Sequence, residues 1–134
     1  MFTVQQMKAA HAKVKSGADF PKYVQEIKSL GLAYYEYLVT NGTTVYHGEN
    51  GYEVKSDPIY ENTTIANPAS AEKLRNYIQA HQQGLTDFLT ICRQAAEAGV
   101  EKWVVDTQKM MCTYYDLAGN EMMAEPIPDG HYAK

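Results

Sequence analysis

Cysteine and histidine are the residues of this chain that could do nucleophilic or acid-base chemistry. No histidine is adjacent in sequence to Cys92 or Cys112. A thiolate nucleophile needs a base within hydrogen-bond reach, so reactivity at Cys112 requires a fold that brings His11 or His81 close to it. We expect Cys92 to be a buried, unreactive residue on an apolar helix face, because free cysteines are commonly buried. Packing is also the expected role of Cys112, with reactivity as the alternative.

The histidines do not form a metal-binding motif. His11, His47, His81 and His131 include no pair spaced by four residues, no His-Glu-x-x-His string and no partnering Cys-x-x-Cys. We therefore predict no metal site and no cofactor. His11 and His81 each fall late in the first predicted helix of one half of the chain, where a helix-end histidine can bond nearby carbonyls. The alternative is a pair of polar groups at the edge between helices and sheet.

Charged residues on predicted strands offer a second place for chemistry. Glu36, Lys102, Asp106 and Asp116 could form a cluster on one sheet face, where paired carboxylates could do acid-base work. Surface ion pairing is the more common outcome for such residues. The chain contains no glycine-rich phosphate loop, dinucleotide fingerprint, Gly-x-Ser-x-Gly elbow or basic-aromatic string. The sequence therefore assigns no reaction, and an enzyme is the less favoured class.

The elements that position these residues are predicted to occur in two similar halves of the chain. At an offset of 68 residues, residues 19–62 align on residues 87–130 without a gap. Eight of these 44 pairs are identical, where typical composition gives about three. We predict an internal duplication, with halves at roughly 1–62 and 68–130 of a single domain of 134 residues. The identical pairs are Asp19/Asp87, Phe20/Phe88, Gly31/Gly99, Tyr46/Tyr114, Gly51/Gly119, Glu53/Glu121, Pro58/Pro126 and Ile59/Ile127.

Each half begins with two predicted helices. Thr3 and Gln6 have the spacing of a capping box, and the apolar positions that follow predict a first helix over residues 4–15, ended by Ser16-Gly17. Pro21 marks the start of the second helix, and Gly31 is placed to end it. In the second half, helices are predicted to begin at Asn67-Pro68 or Ser70 and at Thr86-Asp87, and to end at Gln82-Gln83-Gly84 and at Gly99.

A hairpin and a third strand follow the helices. Asn41-Gly42 predicts a type I′ turn between strands at 32–40 and 43–47, with a third strand at 52–55. We therefore predict an α+β fold, a largely antiparallel sheet of five or six strands with four helices packed mainly on one face. Strands of the second half are predicted at 101–106, 110–116 and 121–125, and the helix-covered face is expected to carry Tyr35, Tyr37, Trp103 and Val105.

The other sheet face is the predicted binding or interaction surface. Strand alternation places a mixture of apolar and charged side chains there, neither plainly solvent-facing nor plainly core. Tyr34, Glu36, Lys102 and Asp106 are the best candidates to contact a small molecule, a protein partner or a second copy of the chain. The predicted members of this face are Tyr34, Glu36, Leu38, Lys102, Val104 and Asp106.

Composition limits the expected partners and location. A net charge of -4, a pI near 5.5 and dispersed lysines and arginines disfavour nucleic acid. The chain has no apolar run of 18 residues and begins without a signal-peptide pattern, which predicts no membrane contact and a cytoplasmic location. The eleven tyrosines fit amphipathic strand positions, with a ligand surface or subunit interface as the alternative.

Three strings of the chain are similar to a family of small bacterial proteins. They are residues 10–23 (AHAKVKSGADFPKY), 30–36 (LGLAYYE) and 98–103 (AGVEKW). In these strings the chain resembles the YbcV-like family of uncharacterised bacterial and prophage-borne proteins, sometimes labelled phage envelope protein. The resemblance extends over nearly the whole chain and implies a small α+β domain without an established active site. The envelope label fits poorly with an acidic chain that lacks a predicted membrane segment.

Together these observations predict a small soluble binding or protein-interaction module of bacterial or prophage origin, with a homodimer as one expected form. One alternative is a small enzyme with an unrecognised pocket, in which Cys112 lies near His81 or His11. The other is an accessory component associated with a phage particle.

Overall fold

The computed structural model describes residues 2–14 and 19–127, which form four α-helices and a six-stranded sheet. All neighbouring strands are antiparallel, in the order β3-β2-β1-β4-β5-β6. The predicted α+β class is therefore confirmed. The elements are α1 (Val4–His11), α2 (Phe20–Ser29), β1 (Tyr34–Leu38), β2 (Thr43–His47), a short 3-10 helix (Glu49–Gly51), β3 (Glu53–Lys55), α3 (Ala71–Gln82), α4 (Phe88–Ala98), β4 (Lys102–Asp106), β5 (Met111–Tyr115) and β6 (Glu121–Pro126).

Local sequence sets the ends of α1, although the helix is shorter than predicted. The backbone N–H of Gln6 donates to Thr3 Oγ1 at 3.2 Å and Thr3 N–H donates to Gln6 Oε1 at 2.8 Å, which is the predicted capping box. α1 ends at His11 because the next backbone bonds span three residues, tightening the chain into turns; one joins Val14 N–H to the His11 carbonyl at 2.9 Å. The predicted helix end at Ser16-Gly17 lies outside the described residues.

Capping residues also fix the helices of the second half. Ser70 accepts a hydrogen bond from Lys73 N–H at 3.2 Å, so Ser70, and not Asn67-Pro68, caps α3. Asp87 accepts from Thr90 N–H at 2.9 Å at the start of α4. Gly99 follows α4 with a φ of 95°, a left-handed conformation that glycine adopts without steric cost.

The turn between β1 and β2 differs from the predicted type I′ turn. Four residues separate the strands, and Gly42 has a φ of 78° while Asn41 does not have the positive φ that a type I′ turn requires. Val39 leaves the hairpin ladder because its N–H donates across the sheet to the Glu101 carbonyl at 2.9 Å. Asn41 instead closes the loop, its Oδ1 accepting from Thr43 N–H at 3.0 Å.

The halves are arranged about a local two-fold axis in the middle of the sheet. β1 and β4 pair antiparallel, and Glu36 lies opposite Val104, the residue 68 positions later. β2 and β5 then flank this central pair on either side. Backbone bonds beside the axis repeat at the same offset, from Val39 N–H to the Glu101 carbonyl at 2.9 Å and from Thr107 N–H to the Ala33 carbonyl at 3.0 Å.

The core lies between the helices and one face of this sheet. Tyr35, Tyr37, Trp103 and Val105 are buried there, as strand alternation predicted. The rings of Tyr37 and Trp103 stack with centroids 4.4 Å apart. On the opposite face Tyr34 is 37% exposed, so the two faces of β1 differ as expected.

Candidate functional site

Two adjoining cavities lie between the helices and the sheet. One has a volume of about 240 Å³ and is bordered by Thr44, Tyr46 and Ile59; we call it the Thr44 cavity. The other has a volume of about 90 Å³ and is bordered by Cys112, Tyr114 and Ile127; we call it the Cys112 cavity. Each of these three pairs is related by the 68-residue offset, so the cavities occupy equivalent places in the two halves. They share a wall formed by His11, Tyr35, Phe88 and Trp103.

Aromatic side chains dominate the shared wall. Tyr35 and Trp103, which are equivalent residues of the two halves, lie on the central strands β1 and β4. Phe88 at the start of α4 contacts Trp103 edge to face, with centroids 6.5 Å apart. An apolar cavity of about 150 Å³ is enough to bind benzene. The Thr44 cavity exceeds that volume, so the fold has room for a small organic ligand.

His81 is held in one tautomer beside the Cys112 cavity. Its Nδ1 lies 3.0 Å from the Thr86 carbonyl oxygen, which can only accept a hydrogen bond, so Nδ1 carries the proton. Burial lowers the pKa of His81, which keeps the ring neutral near pH 7. Nε2 is therefore left as an acceptor. The carbonyl bonded by His81 lies in the loop after α3, so this helix-end histidine bonds a nearby carbonyl as the sequence predicted.

His11 ends α1 and borders both cavities. Its ring packs edge-on against Phe88 at 4.6 Å and Tyr23 at 5.3 Å between centroids. Burial lowers the pKa of His11. It therefore acts as a neutral aromatic wall residue near neutral pH.

Cys112 is brought to the same cavity as His11 and His81, the juxtaposition that the enzyme alternative requires. The thiol is nevertheless buried, and burial raises its pKa to about 12. Among the described residues no hydrogen bond joins Cys112 to either histidine. A protonated thiol is a poor nucleophile, so the arrangement favours packing over covalent chemistry.

Glu125 is the acidic residue of the Cys112 cavity. It lies opposite Cys112 in the β5–β6 ladder, and therefore on the helix-covered side of the sheet. Its carboxylate accepts from Gln82 Nε2 at 3.2 Å and from the Tyr114 hydroxyl at 3.5 Å. Burial raises the pKa of Glu125. The sequence alone shows only that Glu125 is the conservative counterpart of Asp57 at the 68-residue offset. It does not show which sheet face the Glu125 side chain occupies, because that depends on the strand register.

On the opposite sheet face, Glu36 and Lys102 come together as predicted. Lys102 Nζ lies 2.9 Å from Glu36 Oε2, and His47 Nε2 lies 3.0 Å from Glu36 Oε1. Burial raises the pKa of Glu36, but hydrogen bonds from Lys102 and His47 outweigh it and lower the pKa overall. Tyr34 stacks on His47 with centroids 4.1 Å apart. His47 is not among the predicted site residues, although its place on β2, next to β1, makes it a neighbour of Tyr34 and Glu36.

Asp106 and Asp116 stabilise turns and are not part of this charged group. Asp106 Oδ1 accepts from the backbone N–H groups of Gln108 and Lys109 at 2.9 and 3.0 Å, after β4 ends. Asp116 Oδ1 accepts from Asn120 N–H at 2.8 Å in the β5–β6 turn. Both acids follow the usual preference of aspartate for bonding nearby turn amides. The predicted cluster of four charged residues is thus reduced to Glu36 and Lys102, joined by His47.

Cys92 is buried on α4, as predicted, and has a structural partner. The Tyr60 hydroxyl donates to the Val39 carbonyl at 2.7 Å, and the Tyr37 hydroxyl donates to Tyr60 at 3.2 Å. The Cys92 thiol therefore donates to Tyr37, 3.1 Å away. Burial raises the pKa of Cys92 to about 11, so this thiol is protonated at neutral pH.

Comparison with known proteins gives a family but no activity. A family model described as "Protein of unknown function (DUF1398)" matches residues 8–126, which include the Glu36–Lys102 pair and the lining of both cavities except Ile127. No curated protein matches the chain. Within residues 2–14 and 19–127, no three histidine, cysteine, aspartate or glutamate side chains converge to hold a metal ion. In the same residues no helix has the length and apolarity to cross a bilayer.

Proposed function

We propose that this chain, which belongs to the family described as Protein of unknown function (DUF1398), is a binding module for a small organic molecule held between its helices and its sheet. The observation that carries the proposal is the pair of aromatic-lined cavities at equivalent places in the two halves. Ligand sites are commonly concave and mostly apolar, with a few polar groups that orient the ligand. The described linings fit that pattern.

Polar groups are few and differ between the two cavities. Lys8, Thr44 and Ser56 border the Thr44 cavity, whereas His81, Gln82 and Glu125 border the Cys112 cavity. The protonated thiols and neutral histidines give no pre-activated nucleophile, which supports binding over catalysis. Such sparse polar groups serve to select and orient a ligand.

Benzene tests the proposal at the Thr44 cavity. We expect benzene to shift the methyl resonance of Ile59, which borders that cavity, in protein labelled at isoleucine methyl groups. Benzene at ten times its dissociation constant should add about 1.4 kcal/mol to the free energy of unfolding. Thr44→Leu fills the cavity and should abolish both effects. Thr43→Leu is the matched control, because Thr43 is the adjacent β2 residue on the opposite sheet face. A folded wild-type protein that shows neither effect would contradict the proposal.

Self-association through the opposite sheet face is a second proposal, favoured by the charges beside the two-fold axis. Lys102 and Glu36 give this face both signs of charge close together, and Tyr34 is an exposed aromatic beside them. A second copy of the chain, turned by a half rotation, would bring opposite charges together. We expect light scattering to show a concentration-dependent dimer mass that Tyr34→Ser abolishes. Leu89→Ser, on exposed α4 surface, should leave the dimer intact; a monomeric wild-type protein at all concentrations would refute this second proposal.

Other predictions from the sequence remain part of this proposal. They are the single-domain organisation with its halves at 1–62 and 68–130, the YbcV-like label, a phage-associated role, a cytoplasmic location and the absence of a nucleic-acid or membrane partner. Pull-down against the proteins of a prophage-induced lysate would test the phage-associated role. Recovery of a defined virion protein would support that role, and a small-molecule ligand without such a partner would count against it.

A further inference from the structure

We propose that the Cys112 cavity is a site for a small organic cation, such as a short alkylammonium, with Glu125 as its counter-ion. This inference rests on the proposed binding function and specifies the chemistry of one of its two cavities. The evidence is the composition of the lining, the orientation of Glu125 and the contrast with the equivalent cavity.

The lining of the Cys112 cavity is suited to a positive charge. Its aromatic members present π systems whose faces attract cations. The described lining contains no lysine or arginine, and its two histidines are neutral near pH 7. Glu125 is the only acid among these described residues. The aromatic members are Phe20, Tyr35, Phe88, Trp103 and Tyr114.

Glu125 has no cationic partner within the described chain. Its hydrogen-bond donors are the neutral amide of Gln82 and the neutral hydroxyl of Tyr114. None of the described ion pairs includes it. A half-buried carboxylate without a counter-ion is costly in free energy, and an ammonium ion in the adjoining space would remove much of that cost.

The acid is specific to one of the two equivalent cavities. The counterpart of Glu125 is Asp57, which is exposed and does not border the Thr44 cavity. The described lining of the Thr44 cavity instead includes Lys8 and no acidic residue. A preference for cations should therefore appear at the Cys112 cavity alone.

The volume limits the size of the cation. At about 90 Å³ the Cys112 cavity is smaller than the roughly 150 Å³ that holds a benzene ring. A primary ammonium with a short alkyl chain suits this space better than an aromatic amine. Its three N–H donors could reach Glu125 and the free Nε2 acceptor of His81, while its methylene groups contact the aromatic wall.

The test compares ethylammonium with its neutral analogue ethanol, observed through isoleucine methyl resonances. Ile78, Ile91 and Ile127 border the Cys112 cavity, and Ile59 borders the Thr44 cavity. We expect ethylammonium to shift the first three and to bind at least about tenfold more tightly than ethanol, a difference of about 1.4 kcal/mol. Glu125→Gln should abolish this preference. Asp57→Asn, the equivalent substitution in the other half, should leave it unchanged.

A pH titration of the wild-type protein provides a second measurement that needs no variant to fold. The titratable groups that border the same cavity as Glu125 are His11 from α1, Tyr35 from β1, His81 from α3, and Cys112 and Tyr114 from β5. Lowering the pH through the raised pKa of Glu125 neutralises the carboxylate, and protonation of the histidines adds positive charge. Both changes should weaken ethylammonium binding and leave ethanol binding nearly constant.

The outcomes separate this inference from the proposed function. Equal affinities for the amine and the alcohol, or a preference that persists in Glu125→Gln, would overturn the cation site while leaving a binding module. Benzene shifts at Ile59 without any ethylammonium shifts at Ile78, Ile91 and Ile127 would do the same. The absence of benzene shifts at Ile59 would instead overturn the proposed function.

Discussion

Thr107 offers a sharp test of how the two halves are joined, because its hydroxyl ties β4 to the segment before β1. The side chain is fully buried, and Oγ1 donates to the Leu32 carbonyl at 2.7 Å and lies 2.8 Å from the Ala33 carbonyl. The Ala33 carbonyl also accepts from Thr107 N–H at 3.0 Å, so it keeps a partner without the hydroxyl. The Leu32 carbonyl would lose its donor in Thr107→Val.

The magnitude follows from those contacts. Leaving a buried acceptor unpaired costs about 1–3 kcal/mol. The added methyl group of valine returns roughly 0.8 kcal/mol if it is fully buried. The middle of the first range, about 2 kcal/mol, less this return leaves a loss of about 1.2 kcal/mol in the free energy of unfolding of Thr107→Val. At an m value of about 2 kcal/mol/M that loss moves the urea midpoint by roughly 0.6 M.

Urea denaturation followed by circular dichroism measures this change. Thr113→Val is the matched control, since Thr113 lies half-buried on the opposite sheet face of β5. We expect the control to change stability by less than about 0.5 kcal/mol. If Thr107→Val matched either the wild type or this control, the role assigned to the buried hydroxyl would be refuted.

Three further predictions concern glycine geometry and titration. Gly99→Ala should destabilise the fold by more than about 3 kcal/mol and Gly31→Ala by about 1–2 kcal/mol. Both glycines have a positive φ, but only at Gly99 would an added Cβ lie 2.5 Å from the backbone of Ala69. Equal losses of unfolding free energy in urea denaturation would contradict this reasoning. Burial lowers the folded-state pKa of His11. The contribution of His11 to stability is therefore fully present above its unfolded pKa of about 6.5 and is lost as pH falls below that value. His11→Phe should flatten the decline in unfolding free energy between about pH 7 and pH 5. The pKa of Glu36 is lowered overall, so its contribution to stability is present above about pH 4.3 and is lost as pH falls through the folded-state pKa. Glu36→Gln should cost under about 1 kcal/mol of unfolding free energy at neutral pH and nothing measurable near pH 2. A difference between variant and wild type that stays constant across pH would disprove the assignment.

Local rules were sufficient for the helix ends. Ser70 and Asp87 cap helices through bonds to amides three residues later, and Gly99 ends α4 in the conformation that favours glycine. These interactions are contained within a few residues, so the sequence carries their signal directly. α1 ended early because the bonds after His11 tightened into turns, a balance that helix periodicity does not reveal.

The faces of the strands were predictable even though the hairpin register was not. A two-residue turn at Asn41-Gly42 would place Glu36 opposite His47, but the longer loop places Tyr34 there instead. A shift of two residues keeps every side chain on the same face, because side chains alternate with a period of two. Tyr34, Glu36 and Lys102 therefore lie on the predicted face, while the Tyr34–His47 stack emerges only from the observed register.

The cavities could not be predicted because they depend on contacts between distant parts of the chain. His11 on α1 and Glu125 on β6 are more than one hundred residues apart and border the same space. Glu125 faces the helices because of the β5–β6 pairing, which includes an irregularity at Tyr114/Tyr115. Single-sequence reasoning has no access to that pairing, so it favoured the open sheet face, named Cys112 with His81 or His11 as the alternative, and did not single out Glu125.

The central β1–β4 pairing has a consequence for how the two cavities could diverge. In a symmetric homodimer built from half-length subunits, one gene would encode both cavities, and every substitution would occur in each. A single chain that contains both halves is free of that constraint, so each cavity can change alone. Two differences are of this kind: the second half has Glu125 where the first has the exposed Asp57, and it has Cys112 where the first has Thr44. The covalent link between the halves thus allows two similarly placed cavities to acquire separate selectivities.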